Sequence, residues 1–266
     1  MRKLSIKQKL AIGVVLAAGA SAPLLAEHSW NGYHWKRTSN ELTVPVGDNV
    51  SAQWDSYLNT AITDWNKSTV INSPKVAGSA GDPKRCNPVA GTIQVCNALY
   101  GQRGWLGIAS IWLSGGHISQ GTTKLNDTYF NQARYNTPAW RAAVTCQEIG
   151  HDYGLGHQDE DFNTDATTSC MEYTSIPAGN EHPDAHDYQQ LLDIYNHLEA
   201  GSSLSGSASA PAGEPGDSPS DWGRPVHFDR QGRPDVFVQD YGNGQKKITH
   251  VLWAIGEGPR NVRHHH

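Results

Sequence analysis

Apolar positions along the chain change period several times, and each change marks an element. Between Ser51 and Ser68 the residues Trp54, Leu58, Ile62 and Trp65 recur at spacings of four, four and three, the period of one helix face. Thr92 to Cys96 and Ile108 to Leu113 are short and β-rich, and His117 to Leu125 alternates less clearly before the Asn126-Asp127 turn signal. With a strand around Leu42 to Val46, these predict one sheet. Trp140 to Tyr153 reads as a second helix ended by Gly154, and Pro183 to Leu198 as a third, with Leu191, Leu192, Ile194, Tyr195 and Leu198 available to bury. Residues 201 to 221 are Gly, Ser, Ala and Pro with almost nothing to bury, which predicts a flexible linker. Beyond it, in residues 222 to 266, the runs Asp235 to Gln239 and Lys247 to Trp253 flank Tyr241-Gly242-Asn243-Gly244, a hairpin signal. A lone hairpin is marginal in water, so this extension is expected to dock on the main domain or to bind something. The pattern as a whole predicts an α+β fold: a twisted mixed sheet of about five strands with three helices over residues 27 to 200, followed by a β-hairpin extension.

Composition and charge narrow the function classes. The chain has 266 residues, with 21 Lys plus Arg against 26 Asp plus Glu. Residues 1 to 26 place Arg2, Lys3, Lys7 and Lys9 before an apolar run from Leu10 to Ala20 and then small residues, the order of a secretory signal peptide; the run is too short for a spanning helix. Its removal leaves 17 basic against 26 acidic side chains, a formal charge of −9. An acidic surface offers nothing to a phosphate backbone, so nucleic acid is not an expected partner. A secreted or periplasmic location, a mature chain with no membrane span, and a monomer are the corresponding expectations. Export also puts the four cysteines where pairing is the default. Of the three possible pairings, one joins Cys86 to Cys96 and Cys146 to Cys170, a thiolate ligand for zinc being the rival use.

The chemistry concentrates in Gln147-Glu148-Ile149-Gly150-His151-Asp152-Tyr153-Gly154-Leu155-Gly156-His157. Residues four apart on a helix point the same way from adjacent turns, so Gln147 and His151 can reach one ion. Gly154 lets the chain leave the helix and bring His157 back to the same point. Glu148 lies one position round from Gln147, where its carboxylate can hold a water rather than the ion. The stretch resembles the metzincin zinc-peptidase signature H-E-x-x-H-x-x-G-x-x-H, matrixin-like, except that Gln147 stands where the first His belongs. That family also has a tight turn with a buried Met beneath the metal; Ser169-Cys170-Met171-Glu172-Tyr173 follows at a suitable distance and holds the mature chain's only methionine. The resemblance implies Zn2+ at Gln147, His151 and His157, Glu148 as base, Met171 in the Met-turn, and Tyr173, as in astacin-like and serralysin-like members, near the oxyanion. It further implies that Ile108, Ala109, Ser110, Ile111 and Trp112 form an edge strand that binds an extended peptide by β-augmentation. A Cys146 to Cys170 bond would pin the metal helix to the Met-turn.

The glutamine leaves three outcomes. Its side-chain oxygen coordinates the metal, the reading preferred here; or a water or another residue completes the set; or the site is empty and the glutamine bonds a neighbour. An amide oxygen is a weaker zinc ligand than imidazole, but a carboxylate such as Glu148 has no reason to persist half-buried without a cation. The expected activity is that of a secreted zinc-dependent endopeptidase acting on a protein or peptide, and the alternative is a catalytically inactive binding or adhesion module on the same fold. Asp159, Glu160, Asp161, Asn163 and Asp165 form an acidic cluster that Ca2+ could use, although no Gly and distal Glu complete an EF-hand loop, and a solvated acidic loop is the plainer reading. His117, His182 and His186 read as surface or hydrogen-bonded histidines.

Overall fold

The computed structural model describes residues 28–163, 167–200 and 214–259; the expected signal peptide, residues 201 to 213 of the expected linker, Asp165 and the terminal histidines lie outside them. In chain order the elements are β1 (His34–Trp35), β2 (Leu42–Thr43), β3 (Val46–Asn49), α1 (Asp55–Trp65), β4 (Ile71–Asn72), β5 (Lys75–Ala77), β6 (Ile93–Ala98), β7 (Trp105–Ser114) and β8 (His117–Asn126). Then follow α2 (Asp127–Phe130), α3 (Pro138–Asp152), α4 (Ala185–Tyr195), α5 (Pro219–Trp222), β9 (Arg224–Phe228), β10 (Pro234–Gly242) and β11 (Gln245–Trp253). No helix among the described residues is long and apolar enough to cross a membrane.

The fold is α+β, and its main sheet is larger than the sequence predicts. Among the described residues it has nine strands, in the order β5-β3-β6-β8-β7-β11-β10-β9 with β1 beside β8. Two causes account for the difference from five. β1 and β5 are only two and three residues long, too short to show a period. The C-terminal extension adds three more, because β11 runs antiparallel to the whole of β7, from Gln245 opposite Ser114 to Trp253 opposite Trp105. The hairpin turn at Asn243-Gly244 has φ of 52° and 75°, the left-handed pair that a two-residue turn requires. The last part of the expected linker is ordered: Ser218 and Asp221 form a capping box on α5, and Trp222 is buried against Phe237 and Trp253.

α3 crosses one face of this sheet and is buried along most of its length. Its start follows from sequence: Pro138 at the first turn, and Thr137 as N-cap accepting from the Trp140 amide. Across the helix from the sheet, the α1 residue Trp65 donates its indole N–H to the Cys146 carbonyl. On β7 the residues facing α3 include Gly107 and Ala109, and on β11 Ile248, His250 and Leu252 share that face, with His250 directly opposite Ala109.

Candidate metal centre

α3 ends at Asp152 with Tyr153 as its C-cap, and Gly154 takes φ +95°, where any side chain would collide with the Tyr33 carbonyl. The chain then returns along the helix end, the Leu155 amide donating to Gly150. This return delivers His157 to His151: their Nε2 atoms stand 3.0 Å apart. His151 Nδ1–H donates to the Leu155 carbonyl at 2.8 Å, and His157 Nδ1 faces Glu160 Oε1 at 3.4 Å, which leaves both Nε2 lone pairs on the shared side.

The third imidazole comes from a place the motif does not point to. His250, on β11, lies with its ring centroid 4.0 Å from that of His151 and 5.4 Å from that of His157. One ligand nitrogen from each of His151, His157 and His250 fits within 4.8 Å of the others. Trp30 stacks on His250 at 3.3 Å and closes this side. Neither ring nitrogen of His250 has a hydrogen-bond partner, though both are buried. Burial, reinforced by the neighbouring imidazoles, holds His151 and His250 well below the ordinary histidine range, so both are neutral, the form that binds a metal.

Glu148 is buried, and neither carboxylate oxygen has a partner. It lies against Gly107 of β7, where a Cβ would collide with it, so the glycine makes room for the carboxyl group. Burial, and then the nearby Asp152, push its pKa well above the usual carboxylate value. Two orphaned imidazole nitrogens and an orphaned buried carboxyl group fit a cation: each is costly to bury alone and each is an ordinary partner of a divalent metal or of its water.

Gln147 is differently employed. Its Nε2 donates to the Cys170 carbonyl at 3.0 Å and the Glu172 carbonyl at 2.9 Å, on either side of Met171, while its Oε1 is buried without a partner. Met171 is fully buried beneath Gly150, a position where a Cβ would meet its sulfur. Cys146 and Cys170 are bonded, as are Cys86 and Cys96, so helix and turn are joined both covalently and through Gln147. The hydroxyl of Tyr173 donates to Asp235 Oδ2 on β10 at 2.9 Å, and its ring lies 4.1 Å from that of His157. Asp235 also pairs with His227, whose other nitrogen faces Glu160 at 3.6 Å. The C-terminal extension therefore reaches the site three times, through His250, Asp235 and His227.

The stretch Ile108 to Trp112 does not form the free edge that was expected. It is an internal strand, paired to β8 on one side and to β11 on the other, because the extension occupies the edge. Open space lies instead in a cleft of about 540 Å³ whose walls include Trp30, His157, Glu160, Val236, Ile248 and His250. In the acidic cluster, Asp159 and Asp161 pair with Arg230 at 3.0 and 3.4 Å. His182 bonds Asp64, and His186 stacks on His28. Sequence reading missed His250, Trp30 and Asp235; the signal for His250 was a lone histidine inside the β-run Ile248 to Trp253.

No family model and no curated protein matches the chain. Among solved structures, it is similar to high choriolytic enzyme 1, a hatching enzyme zinc-protease from the medaka fish Oryzias latipes. Identity is 14%, 61% of this chain and 94% of that one are covered, and the TM-score is 0.35. It is also similar to myroilysin, with 13% identity, 62% and 97% covered, and a TM-score of 0.35.

Proposed function

We propose that the chain is a secreted zinc-dependent endopeptidase whose metal is held by His151, His157 and His250, with Gln147 acting as a strut to the Met-turn. The observation that carries this reading is the convergence of three buried imidazoles beside an unpartnered buried carboxyl group at the wall of a cleft. Zinc bound there supplies a polarised carbonyl and a water of lowered pKa. Glu148 holds and moves the proton: its raised affinity suits a base that takes a proton from water and returns it to the leaving amine. Tyr173, fixed by Asp235, orients the His157 side of the site. Peptide is accommodated in the cleft, against the apolar wall of Trp30, Val236 and Ile248, rather than along β7.

The covered edge of β7 favours a second reading, an inactive binding module, because β-augmentation at that strand is closed off. The two readings part on one experiment. Protein lacking His264 to His266 is assayed for bound zinc and for cleavage of an unfolded protein, alone, with chelator, and as Glu148→Gln. Chelator-sensitive cleavage lost in Glu148→Gln supports the peptidase; a folded protein without cleavage, with or without bound zinc, supports the module; no zinc at this centre in the folded protein sinks the peptidase.

A further inference from the structure

We propose that His34, His197 and Glu199 form a second divalent-metal site, none of them in the wall of the cleft, with His117 holding the carboxylate, and that the site ties β1, the start of β8 and the tail after α4 together. The backbone sets the cluster up. His34 and His117 are register partners in the parallel pair β1 and β8. The tail beyond α4 is held over them, because the Glu199 amide donates to the Arg37 carbonyl at 2.8 Å and the Arg37 guanidinium donates to the Tyr195 carbonyl. Glu199 thus lies among three imidazoles. Its Oε1 is 2.7 Å from His117 Nε2, its Oε2 is 3.4 Å from His34 Nε2, and the ring of His197 lies 5.0 Å edge-on to that of His34. Ligand atoms of His34, His197 and Glu199 all fit within 4.8 Å of one another.

The orientation of His34 suits a cation. His34 Nδ1–H donates to the Gly32 carbonyl at 2.6 Å, which turns Nε2 toward Glu199. Nε2 faces Glu199 Oε2 at 3.4 Å, both atoms are buried, and neither makes a hydrogen bond. A positive charge shared between the two, a metal ion or a proton, satisfies both atoms. A carboxylate with two imidazoles is a donor set that suits zinc, and because it joins separate segments of the chain its role is to tie them together. A separate cleft of about 400 Å³, with His34 and His197 in its wall, gives the ion a way in. The site would anchor the segment that leads directly from Trp30, the cover of the first metal centre.

The test uses mature protein lacking His264 to His266, titrated with Zn2+ in competition with a chromophoric chelator and followed by thermal melting. Two zinc ions per chain are expected. His197→Ala with Glu199→Gln, both side chains near the surface, should lose one equivalent, or at least 100-fold in affinity at one site, and should lose part of the zinc-dependent rise in Tm while keeping the far-UV circular dichroism of the parent. Glu199→Gln alone should weaken the same site and not the other. Unchanged stoichiometry and an unchanged zinc-dependent Tm shift in the double variant would overturn the proposal, leaving a protonated His34 and a plain ion-pair cluster as the explanation. Failure of the first centre is distinguishable, since it would appear as the equivalent that His250→Ala fails to remove.

Discussion

Gln147→His restores the residue that the zinc signature calls for, and the structure says it should not help. Gln147 is buried, and its amide nitrogen serves two backbone carbonyls of the Met-turn at 3.0 and 2.9 Å. A hydrogen bond of this kind contributes about 1 kcal/mol net. An imidazole has at most one N–H aimed in that direction, so roughly 1 kcal/mol is lost if it re-forms one bond and about 2 kcal/mol if it re-forms neither. The expected outcome is a loss of about 1–2 kcal/mol in urea unfolding with zinc affinity at the first centre changed by less than about threefold, equivalent to under ~0.7 kcal/mol. Unfolding is followed by tryptophan fluorescence and affinity by chelator competition. A 100-fold gain in zinc affinity without loss of stability would refute the reasoning, because it would put residue 147 in the coordination sphere and His250 outside it.

Other expectations follow from single contacts. Replacing Cys146 and Cys170 with Ala opens a loop with a sequence separation of 24; by the loop-entropy model the cost is about 3.5 kcal/mol, read from denaturant midpoints. A cost below about 1 kcal/mol would show that Gln147 alone holds the helix to the turn. Gly107→Ala places a methyl group into the Glu148 carboxyl and should cost about 1–3 kcal/mol with a larger fall in kcat than in stability; an unchanged kcat would place Glu148 away from the chemistry. Asp187 is buried, which raises its pKa to about 6 despite bonds from Ser169 and Gln158. The folded state therefore binds its proton more tightly than the unfolded state, so stability falls as pH rises from about 4 to about 6. Asp187→Asn should flatten that slope in pH-resolved melts, and an unchanged slope would assign it to another group.

Local elements were legible and nonlocal ones were not. α3 could be read because Gly154 marks its end through local chemistry that survives in any tertiary setting, while its start, expected at Trp140, lies at Pro138 under the Thr137 cap. The turn at Asn243-Gly244 could be read for the same reason. The position of β11 beside β7 could not, since strand pairing over about 140 residues leaves no local mark, and with it went the position of His250. The same pairing overturns the edge expected at Ile108 to Trp112, which came from the resemblance alone and not from any pattern in those residues. At residue 147, composition showed that a ligand was missing from the motif but not that a histidine 103 positions later would be placed next to His151.

The central claim is that His250, and not Gln147, completes the first metal centre. It is tested most directly by zinc competition in a His197→Ala, Glu199→Gln background, comparing His250→Ala with Gln147→Ala. The expected result is a loss of at least 100-fold in zinc affinity for His250→Ala and retention within about tenfold for Gln147→Ala. The reverse ranking, with His250→Ala binding zinc as the parent does, would contradict it.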